Sequence, residues 1–122
     1  MEKCLFCNFE DDEKGRIILE NDSFICIEQK DDALVGWCII APKRHVETPF
    51  EFSNEELVSQ NELLVKTKRY LDKKYNPDGY NFGCNFGKVA GQSIPHAHMH
   101  IFARYSNEPN AGKGLRWLKR TE

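Results

Sequence analysis

No apolar run in this chain approaches the roughly 20 residues that a membrane-spanning helix needs. The longest, Trp37-Cys38-Ile39-Ile40-Ala41, stops at Pro42. Positive charge is not in excess either: 17 Lys and Arg against 19 Asp and Glu leave a net charge of -2. That balance excludes a broad affinity for nucleic acid or anionic membrane, so any phosphate has to be held locally. Glu2, Glu10, Asp11, Asp12 and Glu13 come too early for a secretory h-region. The cysteine count is five, an odd number that argues against a disulfide framework. No repeat and no low-complexity tract is present. These absences predict a cytosolic globular protein of one domain, spanning 1–122, with a single modest core.

The secondary structure is read from period and punctuation. Ile17-Ile18-Leu19 suggests a short strand, Asn21-Asp22 a turn, and Phe24-Ile25-Cys26-Ile27 a second strand. The run Trp37–Ala41 reads as an interior strand ended by proline. Ser53-Asn54-Glu55-Glu56 has the form of a capping box, and Leu57, Val58, Leu64, Val65, Leu71 and Tyr75 follow on one broad face. A helix over 53–75 is expected, stopped by Asn76-Pro77-Asp78-Gly79. Tyr80 to Phe86 alternates like a strand. Strands joined by short turns, with one long helix before the last two, give an α+β antiparallel meander. Cys26, Cys38 and Cys84 fall in strand-like runs and read as small core or half-buried residues.

The chemistry is concentrated in Pro95-His96-Ala97-His98-Met99-His100-Ile101-Phe102, which holds three of the four histidines. A period of two on a strand places His96, His98 and His100 on one face and the apolar residues on the other. Histidine is a modest strand former, and adjacent imidazoles resist being charged together, so packing alone gives no reason for such a row. A neutral imidazole can attack phosphorus and split one hard substitution into two easier ones. Only a middle ring is flanked on both sides, so His98 is the candidate nucleophile. The equatorial oxygens of the phosphorus need donors, which a glycine-bearing turn and short polar side chains supply; Asn85, Gly91 and Ser93 are the candidates. Cys4 and Cys7 stand at the C-x2-C spacing that closes two thiolates on one metal ion, half of a tetrahedral site.

HAHMHIF is similar to the motif of the histidine triad family of nucleotide hydrolases and transferases, His-apolar-His-apolar-His-apolar-apolar. GQSIP upstream, with Gly91, Gln92 and Ser93, resembles that family's phosphate-binding lead-in; PKRHV at 42–46 resembles the end of its earlier strand; Arg116-Trp117 resembles its tail. The resemblance implies a histidine triad fold of about five antiparallel strands with one long helix, pairing into a homodimer, and a purine nucleotide as substrate. It implies that His98 becomes nucleotidylated, that His100 contacts the phosphate and the bridging oxygen, and that Asn85, Gly91, Gln92 and Ser93 cradle the phosphate. An acidic residue holding the ribose hydroxyls maps to Glu28, a match that requires one inserted residue before Gly36. In zinc-bearing bacterial members the structural Zn²⁺ site maps to Cys4, Cys7, His45 and His96. Asn85 and Ser93 resemble the nucleoside phosphoramidase branch, whereas HIFARY and GKGLRW resemble dinucleoside polyphosphate hydrolases. Two other readings remain: a metallohydrolase with the three histidines as ligands, and a non-catalytic nucleotide-binding or interaction module.

Overall fold

The computed structural model describes residues 6–7 and 16–115. Cys4, Arg116 and Trp117, named above, lie outside them. Five strands form one antiparallel sheet: β1 (Ile17–Glu20), β2 (Phe24–Gln29), β3 (Trp37–Pro42), β4 (Gly79–Gly83) and β5 (Met99–Arg104). One long helix, α1 (Asn54–Tyr75), lies between β3 and β4 in the chain, with short 3-10 turns at Pro49–Glu51 and Lys88–Ala90. The architecture is α+β, as the sequence indicates. It departs from a strict meander at one point, because β5 inserts between β3 and β4 to give the order β1-β2-β3-β5-β4. No described helix is long and apolar enough to cross a membrane.

Strand alternation builds two apolar layers. Phe24, Cys26, Cys38, Ile40 and Ile101 meet Leu63 and Leu71 of α1 on one face, and Ile25, Ile27, Trp37, Ile39 and Ala41 pack with Phe6 on the other. Cys26 and Cys38 are fully buried, as their strand positions suggested. The start of α1 is the anticipated capping box: the Glu56 N–H donates to Ser53 Oγ at 3.1 Å and the Ser53 N–H to Glu56 Oε1 at 2.9 Å. Asn76 ends the helix in the left-handed region, at φ 49°. The buried stripe is Leu63, Thr67 and Leu71, while Leu57, Val58 and Val65 are exposed, so the helix rests on a narrower face than its apolar residues suggest.

Glu28 overturns the expectation that it faces a ribose. It alternates with Phe24 and Cys26 and pairs with Cys38, which places it on the helix side of the sheet. There its carboxylate, 4% exposed, accepts from Tyr70 Oη at 2.6 Å, from Lys74 Nζ at 2.9 Å and from Tyr75 Oη. Burial pushes this carboxyl up, and the hydrogen bonds from Tyr70, Tyr75 and Lys74 outweigh it, leaving the group below the usual glutamate range. Because the folded value is depressed, the stability Glu28 contributes is complete above the ordinary carboxylate range and is lost as pH falls through the folded value. Glu28→Ala is therefore expected to cost about 2–4 kcal/mol in urea denaturation at neutral pH, with the deficit shrinking in acid, and to leave nucleotide affinity within about twofold. Weakened nucleotide binding at unchanged stability would restore the ribose role.

Candidate active site

The histidine row begins before the strand does. Only His100 lies within β5; His96 and His98 precede it in irregular backbone, anchored by the Ala97 N–H donating to the Val46 carbonyl at 2.7 Å. His96 and His98 are buried, at 0% and 7% exposure, and His100 is half-buried. Phe6 packs on both His96 and His98, with ring centroids 5.4 and 5.1 Å away.

Each ring has a fixed partner, and the partner fixes the tautomer. His98 Nδ1 lies 2.8 Å from the His96 carbonyl oxygen. A carbonyl only accepts, so Nδ1 carries the proton and the neutral ring presents its lone pair at Nε2. Burial pushes the pKa of His98 below the ordinary histidine range, and the bond to the His96 carbonyl offsets part of that, which favours the neutral, nucleophilic form. His100 is held the other way round: Trp37 Nε1–H lies 3.1 Å from His100 Nδ1. The two rings stand 5.0 Å apart at 77°.

His96 faces a different task. Its Nε2–H donates to the Pro42 carbonyl at 2.7 Å, which leaves the Nδ1 lone pair directed at Cys7 Sγ (3.4 Å) and His45 Nδ1 (3.1 Å). Cys7 Sγ and His45 Nδ1 are 3.1 Å apart. Tetrahedral zinc, with bonds of about 2.0–2.3 Å, spaces its ligand atoms by about 3.3–3.6 Å. One thiolate and two imidazole nitrogens at these spacings, with a carbonyl fixing the His96 tautomer, form a donor set suited to Zn²⁺. The structure thus brings together Cys7, His45 and His96; Cys4 is outside the described residues. Among the described residues this is the one cluster with metal-ligand spacing, and neither His98 nor His100 belongs to it.

The phosphate loop differs in detail from expectation. Gly87 and Gly91 take φ of 88° and 98°, which a side chain would strain, and bracket the 3-10 turn. The Gly91 N–H is spent on the Lys88 carbonyl and the Gln92 N–H on the Gly87 carbonyl, so Gly91 serves the turn's shape. The Gln92 side chain is also committed: Oε1 accepts from the Gly87 N–H at 2.8 Å, and Nε2 donates to the carbonyls of Glu47 (2.8 Å) and Ile94 (3.1 Å). Gln92 clamps the loop to the segment after β3 and has no amide group left for a phosphate. Asn85 is exposed with its side chain beside Gly91, and Ser93 lines an open cavity of about 320 Å³ with Glu47, Gly87, Lys88, Gln92 and Pro95. Of the residues expected to cradle phosphate, these two keep side-chain donors available, and the exposed Lys88 on the same cavity adds a cation the sequence reading passed over.

Two residues on the histidine face escaped the reading of sequence. Gln29, the neighbour of Glu28, alternates with Ile25 and Ile27 and so ends β2 on this side, its Oε1 accepting from Arg16 Nη1 at 3.3 Å. Trp37 was one member of an apolar run; the signal was that a buried indole requires an acceptor for its N–H.

The fold and site define a class: an antiparallel sheet with three histidines at alternate positions leading into and entering its β5 strand, each with a distinct hydrogen-bond partner. The HIT domain model matches residues 10–107, and the chain belongs to the HIT, or histidine triad, family. It is 30% identical to Protein hit of Bacillus subtilis, covering 91% of this chain and 77% of that one. The crystal structure of a HIT family protein from Bacillus anthracis superposes with a TM-score of 0.80 at 25% identity, over 97% of this chain and 83% of the other. Relatives named as enzymes cover less: the bis(5'-adenosyl)-triphosphatase of Dictyostelium discoideum is 30% identical over 67% of this chain and 54% of its own length. The adenosine 5'-monophosphoramidase hnt1 of Schizosaccharomyces pombe is 30% identical over 65% of this chain and 56% of its own.

Proposed function

We propose that the protein is a nucleotide hydrolase or transferase that cleaves at the α-phosphate of a nucleoside phosphoramidate, an acyl-adenylate or a dinucleoside polyphosphate, with a covalent nucleotidyl-histidine at His98. The observation that carries this reading is the 2.8 Å bond from His98 Nδ1–H to the His96 carbonyl, which leaves Nε2 as the only lone pair on the ring. In the first step Nε2 bonds to phosphorus, the bond to the leaving group breaks, and its electron pair departs with that group. In the second, water bonds to phosphorus and gives up a proton as the P–N bond breaks, returning the pair to Nε2; that proton offsets the one taken up by the departing group, and the sum is nucleotidyl–X plus water giving nucleoside monophosphate plus HX. His100 hydrogen-bonds the phosphate and the bridging atom, and Asn85 and Ser93 support the phosphoryl oxygens. HIT relatives named as a triphosphatase and a phosphoramidase, both acting on adenosine compounds, support a purine nucleotide.

Cys4, Cys7, His45 and His96 are proposed to hold Zn²⁺, which when bound is structural and takes no part in the displacement. His96 turns its lone pair to Cys7 and His45, an arrangement at odds with a shared ion on all three triad histidines.

The test is stereochemical. Substrates chiral at an α-thiophosphate should be hydrolysed with retention of configuration at phosphorus, the sum of two inversions. Inversion, or attack at another phosphorus, would reject the covalent route. No turnover of phosphoramidates, acyl-adenylates or dinucleoside polyphosphates would favour the binding module.

The homodimer implied by family resemblance has a suitable surface. β4 is an edge strand whose Phe82 is 55% exposed, and Leu57, Val58 and Val65 of α1 are exposed on the same side of the sheet. Phe82→Lys is expected to convert a dimer into a monomer in sedimentation analysis; an unchanged dimer would place the interface elsewhere.

A further inference from the structure

We propose that Trp37 is a positioning residue for this chemistry, holding His100 with its proton on Nε2 so that His98 and His100 offer the substrate complementary groups: a lone pair and an N–H. The inference rests on the nucleotidyl-His98 reading. An indole nitrogen donates and never accepts, so the 3.1 Å contact with His100 Nδ1 has one sense only. The indole has little freedom to do otherwise. It is 3% exposed, stacks on Phe102 with centroids 5.5 Å apart at 24°, and lies 5.7 Å from the His100 ring. His100 in turn stacks on Phe102 at 5.8 Å and 15°, so Phe102 and the indole set the imidazole plane while the indole N–H sets its proton.

The register explains why this position reaches. On β3, Trp37 pairs with Phe102 and Ile39 pairs with His100, so the indole sits diagonally one step along the ladder from the imidazole. A large side chain spans that diagonal where a short one does not. With Nδ1 occupied as an acceptor, the neutral ring can donate only from Nε2. That N–H, on a ring whose centroid is 5.0 Å from that of His98, suits an atom that gains negative charge as its bond to phosphorus breaks.

The decisive measurement is the nitrogen-15 spectrum of labelled wild-type protein, in which neutral His100 should show a protonated Nε2 and an unprotonated, hydrogen-bonded Nδ1. A proton on Nδ1 overturns the proposal without recourse to a variant. Trp37→Phe keeps a ring and deletes the donor. With a basic aliphatic amine as leaving group its kcat should fall about tenfold, and with p-nitrophenolate, which needs little help, by less than about threefold. Trp37→His, which restores an N–H, should recover part of the loss on the amine substrate. Equal losses on both substrates in Trp37→Phe, with no recovery in Trp37→His, would reduce Trp37 to packing. Trapping the nucleotidyl-enzyme in wild type separates this outcome from failure of the underlying reading: if no intermediate forms there, the reading itself has failed.

Discussion

Replacing His98 with alanine is expected to lower kcat/KM for adenosine phosphoramidates by about 10⁴-fold while AMP affinity changes by less than about threefold. The large effect follows from what the ring does in the geometry: it supplies the only lone pair proposed to bond phosphorus, and no neighbour is placed to replace it. His100 has Nδ1 engaged by Trp37, and His96 has Nε2 on the Pro42 carbonyl and Nδ1 toward Cys7 and His45. What survives is positioning and hydrogen bonding by the phosphate loop. The His98 ring is buried against Phe6, so alanine also removes packing and one hydrogen bond, at about 1–2 kcal/mol of stability. His98→Asn, closer in volume, controls for that. Equal loss of activity in both variants, with both folded and both binding AMP, is the expected pattern. If metal content fell together with activity, the metallohydrolase reading would displace the present one.

Removal of the zinc proposed for this site should affect the fold far more than the chemistry. At a zinc activity 1,000 times the dissociation constant, binding to the native state alone adds about 4 kcal/mol, so chelation is expected to lower Tm by about 15 °C. Cys7→Ala should reproduce most of that shift and abolish stoichiometric zinc in a native mass spectrum. The reason is topological. His45 follows β3, His96 precedes β5, and Cys7 belongs to the N-terminal segment, so one ion bound there would tie three separated stretches beside His98. Turnover measured at 10 °C, below the loosened transition, should persist within about fivefold, because the bond from His98 Nδ1–H to the His96 carbonyl needs no ion. Prompt loss of all activity on chelation, with Tm unmoved, would assign the metal to the reaction.

The sequence revealed the row of imidazoles because alternation at period two is a local property, and it revealed the capping box of α1 for the same reason. It was less informative where pairing is long-range. Nothing local places β5 between β3 and β4, so the Trp37–His100 contact, 63 residues apart in the chain, was invisible. Glu28 and Gln29 show how narrow the margin is. One step along a strand exchanges faces, so the charged residue went to the helix side and the amide to the histidine side. Gln92 was misread by association with its neighbours, since a motif match does not say whether a side chain faces the ligand or its own loop. The apolar residues of α1 exceed what the sheet covers, and their number alone did not show which of them would stay exposed.

The most direct measurement is a rapid-quench experiment with an adenosine phosphoramidate labelled in the adenylyl group, followed by peptide mapping under alkaline conditions. One adenylyl group should appear on His98, bonded through Nε2, at a rate at least equal to turnover. Label on another residue, or product formed with no protein-bound label at any time, would contradict the account.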